Sequence, residues 1–344
     1  MKWVNACLIL LAIGTVIFFI GCKKGGESSP VSYVDGYTVD LTEGKGTTYT
    51  GDFFPIREGY TCNYSGSASI YVKMVIPGNN PIENTSNTPA VGMLKVLALR
   101  NIPLPSGTIP LYPIVDMTDM SGQVVNDTSR FFMKDTQAVY VKALRLSSGE
   151  YMEVSNPLYI KSRLVVGDSW ETAPTLDMTK LIASETGSIS NVSLDARAKF
   201  FVVGKENISL PIGTRNAMRM EQANDISMTG TIISEGTTID MNMTAQLATV
   251  YHLIADTGIV HQNTTGPLEM KLTAEGQTVT VTININQSEL KLTGLGENLN
   301  ANIYSGLGKS IISNGLPSFN THTQERLWKI SQAIARTLTK NLSL

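Results

Sequence analysis

In the second half of the chain, apolar residues return at every second position over long runs. Val192, Leu194, Ala196, Ala198, Phe200 and Val202 alternate with Ser193, Asp195, Arg197 and Lys199. Ile239, Met241, Met243, Ala245 and Leu247 alternate with Asp240, Asn242, Thr244 and Gln246. The same pattern recurs at Leu268, Met270, Leu272 and Ala274, and again at Val279, Val281, Ile283 and Ile285. A β-strand repeats every two residues, so each run gathers its apolar side chains on one face and leaves the other face wet. Glu235-Gly236, Glu275-Gly276, Ser121-Gly122 and Ser148-Gly149 sit between strand-like runs where a tight hairpin needs positive φ. Links this short join neighbours antiparallel. The pattern predicts a mainly β fold, a large, strongly curved antiparallel sheet. Its apolar side must be covered by a second sheet, by helices or by a ligand. A division into two packed sandwiches near residues 162–167 is the alternative organisation.

The N-terminus constrains where such a sheet works. Lys2 is followed by an apolar run from Ala6 to Ile20, which ends at Gly21-Cys22 before Lys23-Lys24. A positive start, a short apolar core and a small residue before Cys resemble a bacterial lipobox, in which the cysteine sulfur receives the lipid after cleavage. Residues 1–21 are expected to be the signal peptide, Cys22 the lipidation site, and residues 22–30 a polar tether. A single transmembrane anchor is the other reading of the run. Lys23-Lys24 after the cysteine, with no Asp at the second position, resembles lipoproteins sent to the outer membrane, facing the periplasm or the surface. The expected partner of this end is the membrane.

Composition narrows the function classes. A formal charge of −2 and only 16% charged residues leave no basic surface for phosphate neutralisation, so nucleic acid is not expected as a partner. Of the 3 cysteines, Cys7 leaves with the signal and Cys22 carries the lipid. Cys62 is then expected to be a buried thiol without a disulfide, and the core alone must hold the fold.

Residues 31–300 read as the β domain, 301–320 as a linker containing Gly308, Gly315 and Pro317, and 321–344 as a helix. Thr321 and Gln324 form a capping-box pattern, and Leu327, Ile330, Ile334 and Leu338 fall on one helical stripe. The stripe is expected to dock on the sheet. A membrane-surface helix carrying Arg326, Lys329, Arg336 and Lys340 is the alternative.

Four short motifs resemble a known family. Phe53-Phe54-Pro55-Ile56-Arg57-Glu58-Gly59-Tyr60-Thr61-Cys62-Asn63-Tyr64 is similar to the opening of the TapB-like bacterial lipoproteins, with Cys62 where Trp is usual. Val165-Val166-Gly167-Asp168-Ser169-Trp170 resembles the central motif, and Leu210-Pro211-Ile212-Gly213-Thr214 a strand-entry turn. Tyr251 to Val260, with Gly258, resembles the closing motif. The resemblance spans residues 53–260. It implies relatives of the LolA and LolB half-barrels, whose concave apolar face holds acyl chains, and it supplies no catalytic residue. Pro55, Gly59, Tyr64, Gly167, Trp170, Pro211, Gly213 and Gly258 are expected to be structural.

No cofactor or metal pattern is present: His252, Asp256 and His261 fit neither a helical face nor a metal-ligand spacing. No Gly-x-Ser-x-Gly or phosphate loop occurs. The sequence therefore points to an exported, lipid-anchored, non-enzymatic envelope protein that holds a hydrophobic ligand or an acylated partner on its concave face. The alternative is a structural, adhesin-like surface-interaction protein whose core fills itself.

Overall fold

The computed structural model describes residues 32–120, 123–146, 148–181, 189–234 and 237–296. Cys22, the tether, the linker and the terminal helix stripe lie outside these residues. One helical turn, α1 (Tyr33–Gly36), precedes β1 (Thr48–Thr50), β2 (Thr61–Val75), β3 (Ile82–Val96), β4 (Arg100–Leu104) and β5 (Gly107–Met120). Next come β6 (Gln123–Lys134), β7 (Ala138–Arg145), β8 (Tyr151–Glu153), β9 (Tyr159–Lys161), β10 (Arg163–Val165) and β11 (Ser169–Thr172). The long strands close the series: β12 (Ile189–Leu210), β13 (Gly213–Ser234), β14 (Thr237–Ile254), β15 (Gly258–Ala274) and β16 (Gln277–Leu295).

The fold is the expected large antiparallel sheet. Its strands run β11-β12-β13-β14-β15-β16-β2-β3-β5-β6-β7-β8, with β4 beside β5 and β9 beside β7. Two meanders, one from each half of the chain, are thus joined through β16 and β2, whose register runs from Thr280 opposite Val75 to Leu295 opposite Cys62. At Gly66 this pairing is so close that a Cβ would stand 1.7 Å from the Glu289 carbonyl oxygen, so no other residue fits there without moving a strand.

The alternation read from the sequence is the alternation of burial. In β14, Ile239, Met241, Met243, Ala245 and Leu247 are at most 3% exposed, while Asp240, Asn242, Thr244 and Gln246 lie open on the other face. The apolar face belongs to one core, to which β2, β7, β12 to β16 and the segment around Phe53, Phe54 and Ile56 all contribute. Nine of the chain's 14 methionines lie in it, among them Met218, Met220, Met228, Met241, Met243 and Met270. A transmembrane barrel needs apolar residues outward, and β14 presents the reverse. No helix of the described residues is long and apolar enough to cross a membrane.

A flat sheet of this order would put β11 and the β7–β9 pair roughly 50 Å apart at about 4.8 Å per strand. Instead the edges meet. Trp170 on β11 donates its indole N–H to the Tyr159 carbonyl on β9 at 3.1 Å. The rings of Tyr140, Tyr159, Trp170 and Phe200 follow one another across the seam at 5.7, 6.2 and 5.1 Å. Among the described residues no strand ladder links β9 to β11; the rolled sheet is fastened there by side chains and by one isolated backbone bridge, in which Ser155 after β8 and Thr175 after β11 exchange hydrogen bonds of 3.2 and 2.7 Å. The separate pair of β1 and β10 sits on the chain leading into the seam.

Candidate functional site

Two of the sequence motifs, the opening and the closing one, meet at one end of the roll, with Leu210 of a third packed near them. The chain from Gly51 to Tyr60 forms a strap against the apolar face, burying Phe53, Phe54 and Ile56 at 4%, 8% and 5% exposure. Phe54 stacks on Phe132 of β6 at 6.0 Å, and Lys134 of β6 pairs with Asp52 at 2.5 Å. On the opposite side the Asp256 amide donates to the Asp52 carbonyl at 2.8 Å. One strap therefore ties β6, from the first meander, to the β14–β15 turn of the second.

Pro55 and Gly258 belong together in this contact. Gly258 has φ +77, and a Cβ on it would lie 2.9 Å from Pro55 Cδ, so both the turn and the packing demand glycine. The Tyr60 hydroxyl donates to the Thr257 carbonyl, and the Tyr64 hydroxyl to the Ile259 carbonyl at 3.0 Å. The Cys62 thiol is 2% exposed and donates to Tyr60 Oη at 3.0 Å. Burial pushes that thiol up, away from the thiolate, which leaves it a poor nucleophile. Gly59, at φ +78, closes the strap through its amide, which donates to the Val96 carbonyl.

The remaining motif residues stand elsewhere. Gly167, at φ +85, donates to the Val202 carbonyl at 2.9 Å and turns the chain into β11, where Trp170 is 7% exposed. Lys161 Nζ lies 4.9 Å from the Trp170 ring. Pro211 and Gly213, the latter at φ +95, shape the exposed tip between β12 and β13, where Leu210 pairs with Gly213. Trp170 is thus far along the strand order from the Pro55–Gly258 contact, and the eight residues build two structural joints and a hairpin tip rather than one site.

A polar cluster that sequence reasoning missed lies on the other face of β14 and β15. His252 and His261, 4% and 8% exposed, stand opposite one another with Nδ1 to Nδ1 at 2.8 Å. His252 Nε2 reaches Glu206 of β12 at 2.5 Å, and His261 Nε2 reaches Glu289 of β16 at 3.0 Å. Arg219 of β13 bridges Glu206 at 3.3 Å and Glu221 at 2.6 Å. Tyr37 donates to Glu221 at 2.7 Å, and Lys291 pairs with Glu289 at 3.0 Å. Beside the cluster, Cys62, Leu210, Ala217, Val260 and Leu292 form a small second apolar core. The pair was illegible because Val260 bulges out of the ladder, which shifts the register between His252 and Leu253. A hairpin counted outward from the Ile254–Gly258 pair without that bulge would have placed Val260 opposite His252.

Among the described residues no group of three or more His, Cys, Asp or Glu side chains could hold a metal ion. The histidine ring nitrogens are spent on one another and on the carboxylates.

No family model matches the chain, and no curated protein matches it. Solved structures with some likeness include a protein provisionally described as a lipoprotein from Parabacteroides distasonis, 11% identical, covering 72% of this chain and 99% of that one at a TM-score of 0.27. An exported protein with a YmcC-like fold from Bacteroides fragilis, itself a provisional description, is 9% identical over 72% of this chain and 100% of that one at 0.22. A LolA superfamily protein from Nitrosomonas europaea is 11% identical over 73% and 91% at 0.12. Likeness of this degree carries no argument about function.

Proposed function

We propose that the chain is an exported, lipid-anchored, non-enzymatic protein of the cell envelope, held to a membrane through Cys22, whose rolled sheet is a self-filled module offering its polar outer face to other envelope components. The observation that carries this reading is the burial of the apolar face by the chain itself: the strap brings Phe53, Phe54 and Ile56 onto the same core as Met228, Met243 and Met270, all at most 8% exposed. Gly21-Cys22 after the apolar run supports the anchor, and Lys23-Lys24, with no Asp in the second position, supports a location on the outer membrane. The TapB-like resemblance fits this reading, because most of its motif residues fall on the strap and the seam that hold the roll together.

A second reading, carriage of a hydrophobic ligand or an acylated partner, is favoured by one observation. Nine methionines line the core, and an unbranched, polarizable side chain repacks around a guest more easily than a branched one. Two measurements separate the proposals. Cys22→Ala should leave an unprocessed precursor that takes up no radiolabelled palmitate, and normal maturation of that variant would refute the anchor. Mass spectrometry of an organic extract of the purified chain should find no stoichiometric lipid beyond the one on Cys22. A recurrent lipid near one per chain would establish carriage instead.

A further inference from the structure

The contacts between His252, His261, Glu206 and Glu289 fix how many protons the four groups can share. Three contacts, of 2.8, 2.5 and 3.0 Å, run in a line from Glu206 through the two imidazoles to Glu289. Each contact joins two atoms that carry lone pairs, so each needs one proton between them. Two neutral imidazoles supply two protons. With both carboxyls ionised, one of the three contacts would then set lone pair against lone pair in a buried place. A third proton satisfies the whole line. A fourth sets two N–H groups against each other across the Nδ1–Nδ1 contact and must part the rings.

We propose that Glu206, His252, His261 and Glu289 together bind three protons in the folded protein near neutral pH, and that entry of a fourth in acid breaks the His252–His261 bond, which makes this end of the sheet an acid-sensitive latch.

The contacts set that count, and the surroundings decide which groups hold the protons. Burial acts to raise the carboxyls of Glu206 and Glu289. It is outweighed at Glu206 by the hydrogen bond from His252 and the charge of Arg219, and at Glu289 by the hydrogen bonds from Lys291 and His261. Both are held below the usual carboxylate range. The third proton therefore belongs to the imidazole pair. Burial pushes both imidazoles toward the neutral form against the pull of Glu206 and Glu289, and the charge of His252 further disfavours charge on His261. The three-proton count therefore rests on the geometry: with only two protons, one of the three short contacts would join two lone pairs. Among the described residues, the charged groups facing the line are Glu206 on β12, Arg219 and Glu221 on β13, and Glu289 and Lys291 on β16, with the Tyr37 hydroxyl on Glu221. From β2, the residues opposite Lys291 and Glu289 are the neutral Ser65 and Ser67.

The bond that acid would break crosses β14 and β15 at the Val260 bulge, where Val260 packs with Leu292 and Ala217. Parting the rings would loosen that small core before the main one. The sign of the pH dependence follows from the proton count. Free imidazoles titrate near about 6.5. Below that the unfolded pair binds more than the one extra proton held by the fold, so stability falls as pH falls. Above it the unfolded pair binds fewer, so stability falls as pH rises until the fold releases its third proton. The latch contribution peaks near pH ~6.5.

Nitrogen-15 spectroscopy of the imidazoles in the full chain in detergent micelles tests this, since the sequence has 3 histidines and two of them form the pair. Near pH ~6.5 the pair should show three N–H groups and a coupling across the Nδ1–Nδ1 bond. Two N–H groups would overturn the proposal. On acidification the coupling should vanish before the chain unfolds, and a coupling that survives to global unfolding would overturn the latch. The thermal midpoint of His261→Gln should fall furthest below wild type near that same pH, and a gap that does not vary with pH would count against it.

Discussion

The seam at Trp170 and the cluster at His252–His261 both join strands across the sheet, by opposite means. At the seam, four rings follow one another, three of them stacked and Tyr140 tilted against Tyr159, and one indole N–H finds one carbonyl. Dispersion and burial dominate there, they do not depend on pH, and their loss scales with the area exposed. At the cluster, charged and titratable groups on β12, β13, β14, β15 and β16 are linked in line. Its stability depends on every member being satisfied, so loss of one partner strands the next in a buried place. An aromatic joint degrades gradually when trimmed, whereas a polar joint fails at a particular protonation state.

Breaking the seam should have the largest effect. Trp170→Ala empties the space between Tyr159 and Phe200 and is expected to cost about 3–5 kcal/mol in denaturant unfolding. Trp170→Phe should keep most of the stack and lose about 1–2 kcal/mol with the Tyr159 hydrogen bond. If alanine cost no more than phenylalanine, the ring stack would not be what fastens the edges.

The sequence made one of these joints half visible and hid the other. Period-two alternation located β12, β14, β15 and β16, because each is wet on one side and apolar on the other. It said little of β2, where Ser65, Gly66, Ser67 and Ser69 interrupt the pattern, and nothing of its pairing with β16, which joins residues more than two hundred positions apart. Trp170 was legible as a core residue from its size. Its partner Tyr159 was not, because the meeting of two sheet edges depends on the accumulated twist of every strand between them. Pro55 and Gly258 were both singled out by motif, yet their mutual contact required the strap to fold across the sheet. Glu206, His252, His261 and Glu289 come from four strands, and the Val260 bulge defeats simple hairpin counting.

Smaller perturbations sharpen the contrast. His261→Ala leaves His252 and Glu289 without their shared partner and should cost about 2–3 kcal/mol at neutral pH, unlike the seam variants whose cost should not vary between pH 5 and 8. Gly258→Ala forces a Cβ against Pro55 at positive φ, and chemical denaturation should show a loss of about 1–2 kcal/mol. Least affected should be Lys73→Ala, which removes an exposed ion pair with Glu83 and should leave the thermal midpoint unchanged at physiological salt.

The rolled sheet itself is tested most directly by a distance between its two ends. Spin labels at Lys142 on β7 and Lys199 on β12, attached through an unnatural amino acid so that Cys22 and Cys62 stay untouched, report the separation by pulsed dipolar spectroscopy. With the edges joined at Trp170, three strand spacings part them and the distance should be about 15–20 Å. In an open sheet of the same strand order, nine spacings would give about 43 Å, and a distribution centred there would contradict the account.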